Sequence, residues 1–142
     1  MKNFLLWIWQ LPQHLLGLII IKVTKAVKTN SFFQPVEACV YCSSGKNFGV
    51  SLGRYIILGD IDHLPTTEHH ELGHSVQSGY LGPLYLLIVG IPSALGNLWD
   101  RFFHKKWSSK DRNIWYYGRW PESWADELGG VDRAGLIGRI VN

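Results

Sequence analysis

Three apolar rhythms divide the chain. The first, residues 3–21, contains no Lys, Arg, Asp or Glu and is nearly as long as the roughly 20 residues that cross a bilayer. Gln10, Pro12, Gln13 and His14 interrupt it, Trp7 and Trp9 lie toward its start, and Lys22, Lys25 and Lys28 follow it. It reads as a kinked anchor, as an amphipathic helix lying in the membrane interface, or as a buried N-terminal helix. No small-residue cleavage site follows Ile21, so it does not read as a cleavable signal. If it crosses a membrane, the lysines put the chain beyond it on the cytoplasmic side. The second rhythm, residues 36–58, is that of strands. Val36 to Tyr41 alternates loosely, residues 43–47 (Ser-Ser-Gly-Lys-Asn) carry turn chemistry, and Val50 to Leu58 is rich in β-forming residues. Two strands of a small antiparallel sheet are predicted. The third rhythm, Ser75 to Trp99, again lacks any charged residue. Its length allows a span, but Gly82-Pro83 and Gly90-Ile91-Pro92 offer breaks.

After the second stretch, and running into the third, comes Thr66 to Gln77, TTEHHELGHSVQ. Pro65 closes the preceding segment, Thr66 and Thr67 can cap a helix start, and Gly79 can end it, giving a predicted helix of about a dozen residues. Within it His70-Glu71-Leu72-Gly73-His74 has the form H-E-x-x-H. Residues four apart share a helix face, so His70 and His74 can present two imidazoles to one point. That is the spacing of a zinc site, with Glu71 reaching the water rather than the metal and acting as general base. His69 points about 100° away from His70 and reads as a neighbour.

A catalytic zinc site needs a third protein ligand. Downstream, Arg119-Trp120-Pro121-Glu122-Ser123-Trp124-Ala125-Asp126 places Glu122 and Asp126 four apart, on one face of a helix that Pro121 would start well. Glu122 is expected to ligate the metal, and Asp126 to accept the N–H of a ligating histidine and fix its tautomer. HELGH followed by R-x-x-E-x-x-A-D, here Arg119, Glu122, Ala125 and Asp126, resembles the gluzincin metallopeptidases. The likeness is closest to their membrane-bound branch of CAAX prenyl endopeptidases and HtpX-type proteases. It covers about a third of the chain, the two motif helices and their flanks. The chain departs from that branch in size, lacking its several clear membrane spans. The resemblance implies a zincin-like α+β domain that hydrolyses peptide bonds, with a strand beside the cleft, at residues 48–58, to which substrate backbone can add. A gluzincin also needs an oxyanion donor, for which Tyr116, Tyr117, Arg119 and His104 are the candidates. If His70, His74 and Glu122 share one metal, Ser75 to Trp99 cannot cross a membrane once. A kinked helix or helical hairpin is therefore expected, packed under the site or dipping into the bilayer.

The 142 residues are expected to form a single domain, with 1–28 an N-terminal anchor or interfacial helix and 29–142 a metallopeptidase-like core. Hydrophobic residues reach 46%, charged ones only 18%, and there are 7 Trp. Ordinary domains carry about 25% charged residues, and Trp favours membrane–water interfaces. A lipid membrane is thus an expected partner beside a peptide or protein substrate. A basic run, Arg101, His104, Lys105, Lys106, Lys110 and Arg112, can touch anionic headgroups. A net charge of +3 without a binding motif excludes nucleic acid as the expected partner. Cys39 and Cys42 form C-x-x-C with no matching ligand pair nearby, and read as reduced, packed strand residues, in keeping with a reducing compartment. The expected protein is a small membrane-associated zinc metallopeptidase with its site on the cytoplasmic side. Two alternatives stand beside it. One is a non-catalytic, zinc-stabilised membrane-surface or interaction protein, with Cys39 or His63 as fourth ligand; the other is a zinc hydrolase of another amide or ester.

Overall fold

A computed structural model describes residues 2–33, 38–43, 48–59 and 65–133. The expectations placed on Val36 and Glu37, on the turn at 44–47 and on His63 lie outside the described residues. The order is helix α1 (Lys2–Trp9), α2 (Leu11–Thr24), strands β1 (Val27–Phe33), β2 (Ala38–Ser43), β3 (Gly49–Leu52) and β4 (Tyr55–Gly59), then helices α3 (Pro65–Leu81), α4 (Ile91–Phe103), α5 (Ser109–Tyr117) and α6 (Glu122–Gly129). The fold is α+β.

The four strands form one sheet in the order β1-β2-β4-β3. It is not wholly antiparallel, as the hydrophobic pattern had suggested: β2 and β4 run parallel, while β1–β2 and β3–β4 are antiparallel. The physical reason lies in residues 55–59. Ile56, Ile57 and Leu58 are all buried, so this segment is covered on both faces and belongs in the middle of the sheet. The single strand predicted over residues 50–58 is in fact a hairpin. Gly53 adopts φ 64° and turns β3 back into β4. A further strand, β1, begins at Val27, inside the segment expected to be an N-terminal anchor.

One sheet face meets α3, where Ala38, Val40, Ile56 and Leu58 form a cluster against Leu72. The other meets α2, whose His14 ring lies edge-on to Tyr55 at 5.5 Å and accepts the Arg54 N–H through Nε2 at 3.2 Å. α3 runs two residues past Gly79, to Leu81. There Gly82, at φ 51°, opens a 3-10 turn over Gly82–Leu84. The arms Thr66–Leu84 and Leu86–Phe103 are bent by 119°, as the Gly82-Pro83 break predicts. Gly90-Ile91-Pro92 makes no second break: a π-helical segment, Leu86–Gly90, runs directly into α4 with Pro92 in its first turn.

α6 packs on α3 at backbone contact. A Cβ at Gly73 would fall on the Ala125 carbonyl, and one at Gly129 on the His69 carbonyl. Gly73→Val is therefore expected to destabilise the fold by about 1–3 kcal/mol, read as a lower urea midpoint. Gly79→Ala, in the same helix, is the control. Its Cβ would meet nothing nearer than Gln10 Nε2 at 3.7 Å, and the change is expected to be neutral or to stabilise by up to about 1 kcal/mol.

Candidate metal centre

The helix phase of α3 turns His70 and His74 to α6, and that of α6 turns Glu122 and Asp126 to α3. His70 Nε2 and His74 Nε2 lie 3.0 and 3.3 Å from the same atom, Glu122 Oε2. One donor atom from each of the three residues falls within 4.8 Å of the others, and all three side chains are buried. This buried His-His-Glu group can hold a metal ion.

Each histidine is held by its other nitrogen. His70 Nδ1–H donates to Asp126 Oδ1 at 2.7 Å, and His74 Nδ1–H to Gln77 Oε1 at 2.7 Å. With Nδ1 so engaged, Nε2 is the nitrogen each ring has available for a metal, in place of its contact with Glu122 Oε2. Gln77, fully buried, also donates Nε2–H to Pro121 O at 3.0 Å, tying α3 to the start of the Glu122 helix. Arg133 clamps Asp126 with Nε at 2.5 Å from Oδ2 and a terminal nitrogen 2.9 Å from Oδ1, while its guanidinium lies over the Tyr117 ring at 3.3 Å. His69 Nδ1 meets Gly129 O at 3.1 Å, so it fastens α6 rather than facing the centre.

Two carboxylate oxygens at the centre are buried without a hydrogen-bond partner, Glu71 Oε2 and Glu122 Oε1. Such atoms cost about 1–3 kcal/mol each when left unpaired, and a cation or an ordered water satisfies them. Arg133 clamps Asp126 alone, so the Glu71 and Glu122 carboxylates are left to the two imidazoles or to a cation held between them. Glu71 packs against Gly49, where a Cβ would overlap its Oε1. Ser51 Oγ–H donates to Glu71 O at 2.5 Å, so β3 is fixed alongside the motif.

Burial by itself would depress His70, but its bonds to Asp126 and Glu122 and the nearby Glu71 charge raise it to about 9. Burial would lift Glu122 and Asp126; hydrogen bonds from His70 and His74 hold Glu122 well below the carboxylate range, and those from His70 and Arg133 lower Asp126. Burial first, then the Glu122 charge, pushes Tyr116 far up; burial likewise puts Tyr85 well above its ordinary value and raises Tyr117. These phenols keep their protons, and so remain donors, at any ordinary pH.

The expected oxyanion donors separate. Tyr116 OH is 3.3 Å from Ser93 Oγ and shares with Ser93, Gly96, Trp120 and Glu122 a small groove between α4, α5 and the start of α6. Tyr117 stands edge-on to the His70 ring at 5.1 Å. Arg119 is exposed and stacks on Trp115 at 4.0 Å. His104 pairs with Asp100 at 3.1 Å and stacks on Trp107 at 3.9 Å, away from the group that can hold a metal. Cys39 and Cys42 both lie in β2, and neither joins that group among the described residues. Gln77, Ser93, Tyr85 and Arg133 were not singled out from the sequence. Gln77 alone had a readable signal, sitting three residues after His74 on the same helix face.

In comparison with known proteins, no family model matches the chain, and no curated protein and no solved structure matches it.

Stripped of metal, the chain should show a stability maximum set by these shifts. His70, raised from 6.5 to about 9, contributes stability that is complete below its unfolded value and is lost as pH rises through about 9. The lowered carboxylates contribute stability that is complete above their unfolded values of 4.5 and 3.8 and is lost at more acidic pH. Urea midpoints should therefore peak near pH 5–6.5 and fall toward pH 9. With metal bound, the proton on His70 is displaced and the alkaline fall should vanish.

Proposed function

We propose that the protein is a zinc-dependent peptidase of gluzincin type. The observation that carries this reading is the convergence of His70 Nε2, His74 Nε2 and one Glu122 oxygen beside the unpartnered carboxylate of Glu71. Two imidazoles and one carboxylate are a donor set suited to catalytic zinc. Among the described residues no fourth side chain joins them, and an open position is what catalytic zinc requires. When bound, zinc supplies Lewis acidity, polarising the scissile carbonyl and making water a better nucleophile at neutral pH.

The chain's own residues do the rest. Asp126 and Gln77 hold the two imidazoles in the ligating tautomer. Glu71 Oε2, free of protein partners, accepts the proton of the attacking water and passes it to the leaving amine nitrogen. Tyr116 donates its hydroxyl proton toward the oxyanion from the groove it shares with Glu122. Substrate backbone is received by β3. In the observed register Phe48, Val50 and Leu52 bond to β4, so the outward groups belong to Gly49 and Ser51. Ser51 O is taken by the Tyr85 hydroxyl at 3.0 Å. The backbone of Gly49 is left beside Glu71, where a peptide strand can pair.

Elemental analysis should find one zinc per chain in the wild type and little or none in Glu122→Ala. Glu71→Gln should keep its zinc and lose peptide hydrolysis by about 10²–10⁴-fold in kcat. An active Glu71→Gln protein, or zinc indifferent to Glu122, would rule the reading out.

A further inference from the structure

The polar residues that interrupt the N-terminal apolar stretch are on its inner side. Gln10, Gln13 and His14 are 4%, 0% and 1% exposed. Gln10 Nε2–H donates to Ser78 Oγ at 3.1 Å, Gln13 Nε2–H to Gly82 O, and His14 Nδ1 meets Trp7 O at 3.2 Å. The outer side of α1 and α2 is apolar: Leu5, Ile8, Leu15, Ile19 and Val23 are all exposed. After the bend, Leu87, Ile91, Leu95, Leu98 and Phe102 recur at spacings of three and four and form one exposed stripe, with Leu95 at 60% and Phe102 at 65%. Among the described residues, fifteen buried polar or charged side chains stand against ten buried hydrophobic ones. An interior this polar beneath an exterior this apolar is the reverse of a water-facing protein, whose exposed apolar patches are small.

Charge selects what covers the apolar surface. No acidic residue precedes Glu37, while Lys22, Lys25 and Lys28 follow the apolar face of α2. Arg101, Lys105, Lys106 and Lys110 follow the stripe, with exposed Trp99 and Trp107 among them. Asp100, the acid inside this cluster, is bonded to Arg112 and His104. Both apolar faces thus end in exposed cations, and the second also in tryptophans, as expected where a protein meets anionic headgroups. A second copy of the chain would bring these cations against one another. Length selects the depth. Among the described residues no single helix is long and apolar enough to cross a membrane, and the one pair that passes together by length and composition, Thr66–Leu84 with Leu86–Phe103, is bent by 119°; the 14 residues of α2 cover about 21 Å at 1.5 Å each, short of the roughly 30 Å hydrocarbon core.

We infer that the outer face of α1–α2 and the Leu87–Phe102 stripe together embed the protein in one leaflet of an anionic lipid bilayer, without crossing it. The surface is distinct from the metal centre, and the inference stands whether or not that centre hydrolyses peptides. Flotation of the full chain with vesicles tests it, using phosphatidylcholine alone and phosphatidylcholine mixed with phosphatidylglycerol. The chain should float with both, more strongly with the mixture, and high salt should remove the difference. Two double variants, Leu95→Glu with Leu98→Glu and Leu15→Glu with Ile19→Glu, should each lower the vesicle-bound fraction about tenfold or more, with the far-ultraviolet circular dichroism of the wild type. Two results would overturn the inference. One is flotation unchanged in both folded variants. The other is a discrete dimer in lipid-free buffer that fails to float and that the same substitutions split, which would assign the face to a second copy.

Discussion

The metal centre depends on how closely two helix backbones can approach. Gly73 of α3 and Gly129 of α6 leave no room for a side chain between the helices, so the carboxylates of α6 arrive at hydrogen-bond distance from the imidazoles of α3. At a more usual interaxial distance of 8–10 Å between helices, larger interface residues would hold Glu122 back from His70 and His74. Three further ties sit along the same seam: His70 to Asp126, Gln77 to Pro121 O, and His69 to Gly129 O. None is a contact of apolar surface. The seam is specified by missing side chains and by directional bonds, both of which tolerate little displacement.

That arrangement gathers charge where burial penalises it. Glu71, Glu122 and Asp126 are all 8% exposed or less; of these, Arg133 reaches only Asp126, and Glu122 is faced by the imidazoles. A chain this small has little apolar core with which to offset such a cost. On the readings proposed above, metal and lipid would each supply what the interior lacks. A cation at the His-His-Glu group would satisfy the orphaned oxygens and add binding energy to folding energy. A bilayer would cover the apolar shell that the sheet and helices leave open.

Much of the centre was legible in the sequence because helix periodicity is local. Four-residue spacing alone puts His70 with His74 and Glu122 with Asp126, and the assignment of Asp126 to a histidine nitrogen follows from what such a site requires. The break at Gly82-Pro83 was legible for the same reason. What the sequence withheld depends on tertiary meeting. Arg133, not the motif's Arg119, clamps Asp126, and nothing in the spacing of either arginine says so. The sheet order was hidden because Ile56, Ile57 and Leu58 read equally as one long edge strand or as the covered centre of a sheet whose neighbour has turned back at Gly53.

The N-terminal stretch shows how one pattern supports two opposite constructions. Polar residues within an apolar helix look like interruptions when the outside is taken to be lipid all round, and like a misplaced surface when it is taken to be water. With the core on one side and lipid on the other they are neither. Gln10, Gln13 and His14 satisfy backbone and side-chain groups of the bend and the hairpin, which an apolar side chain cannot do. The leucines opposite them need no protein partner in a bilayer. The same division runs through the second apolar segment, where α3 turns His74 and Gln77 inward and α4 turns its leucines outward. A short helix with a polar inner face and an apolar outer face would allow an interior that can hold a metal and the lipid-facing exterior proposed here to share so few residues.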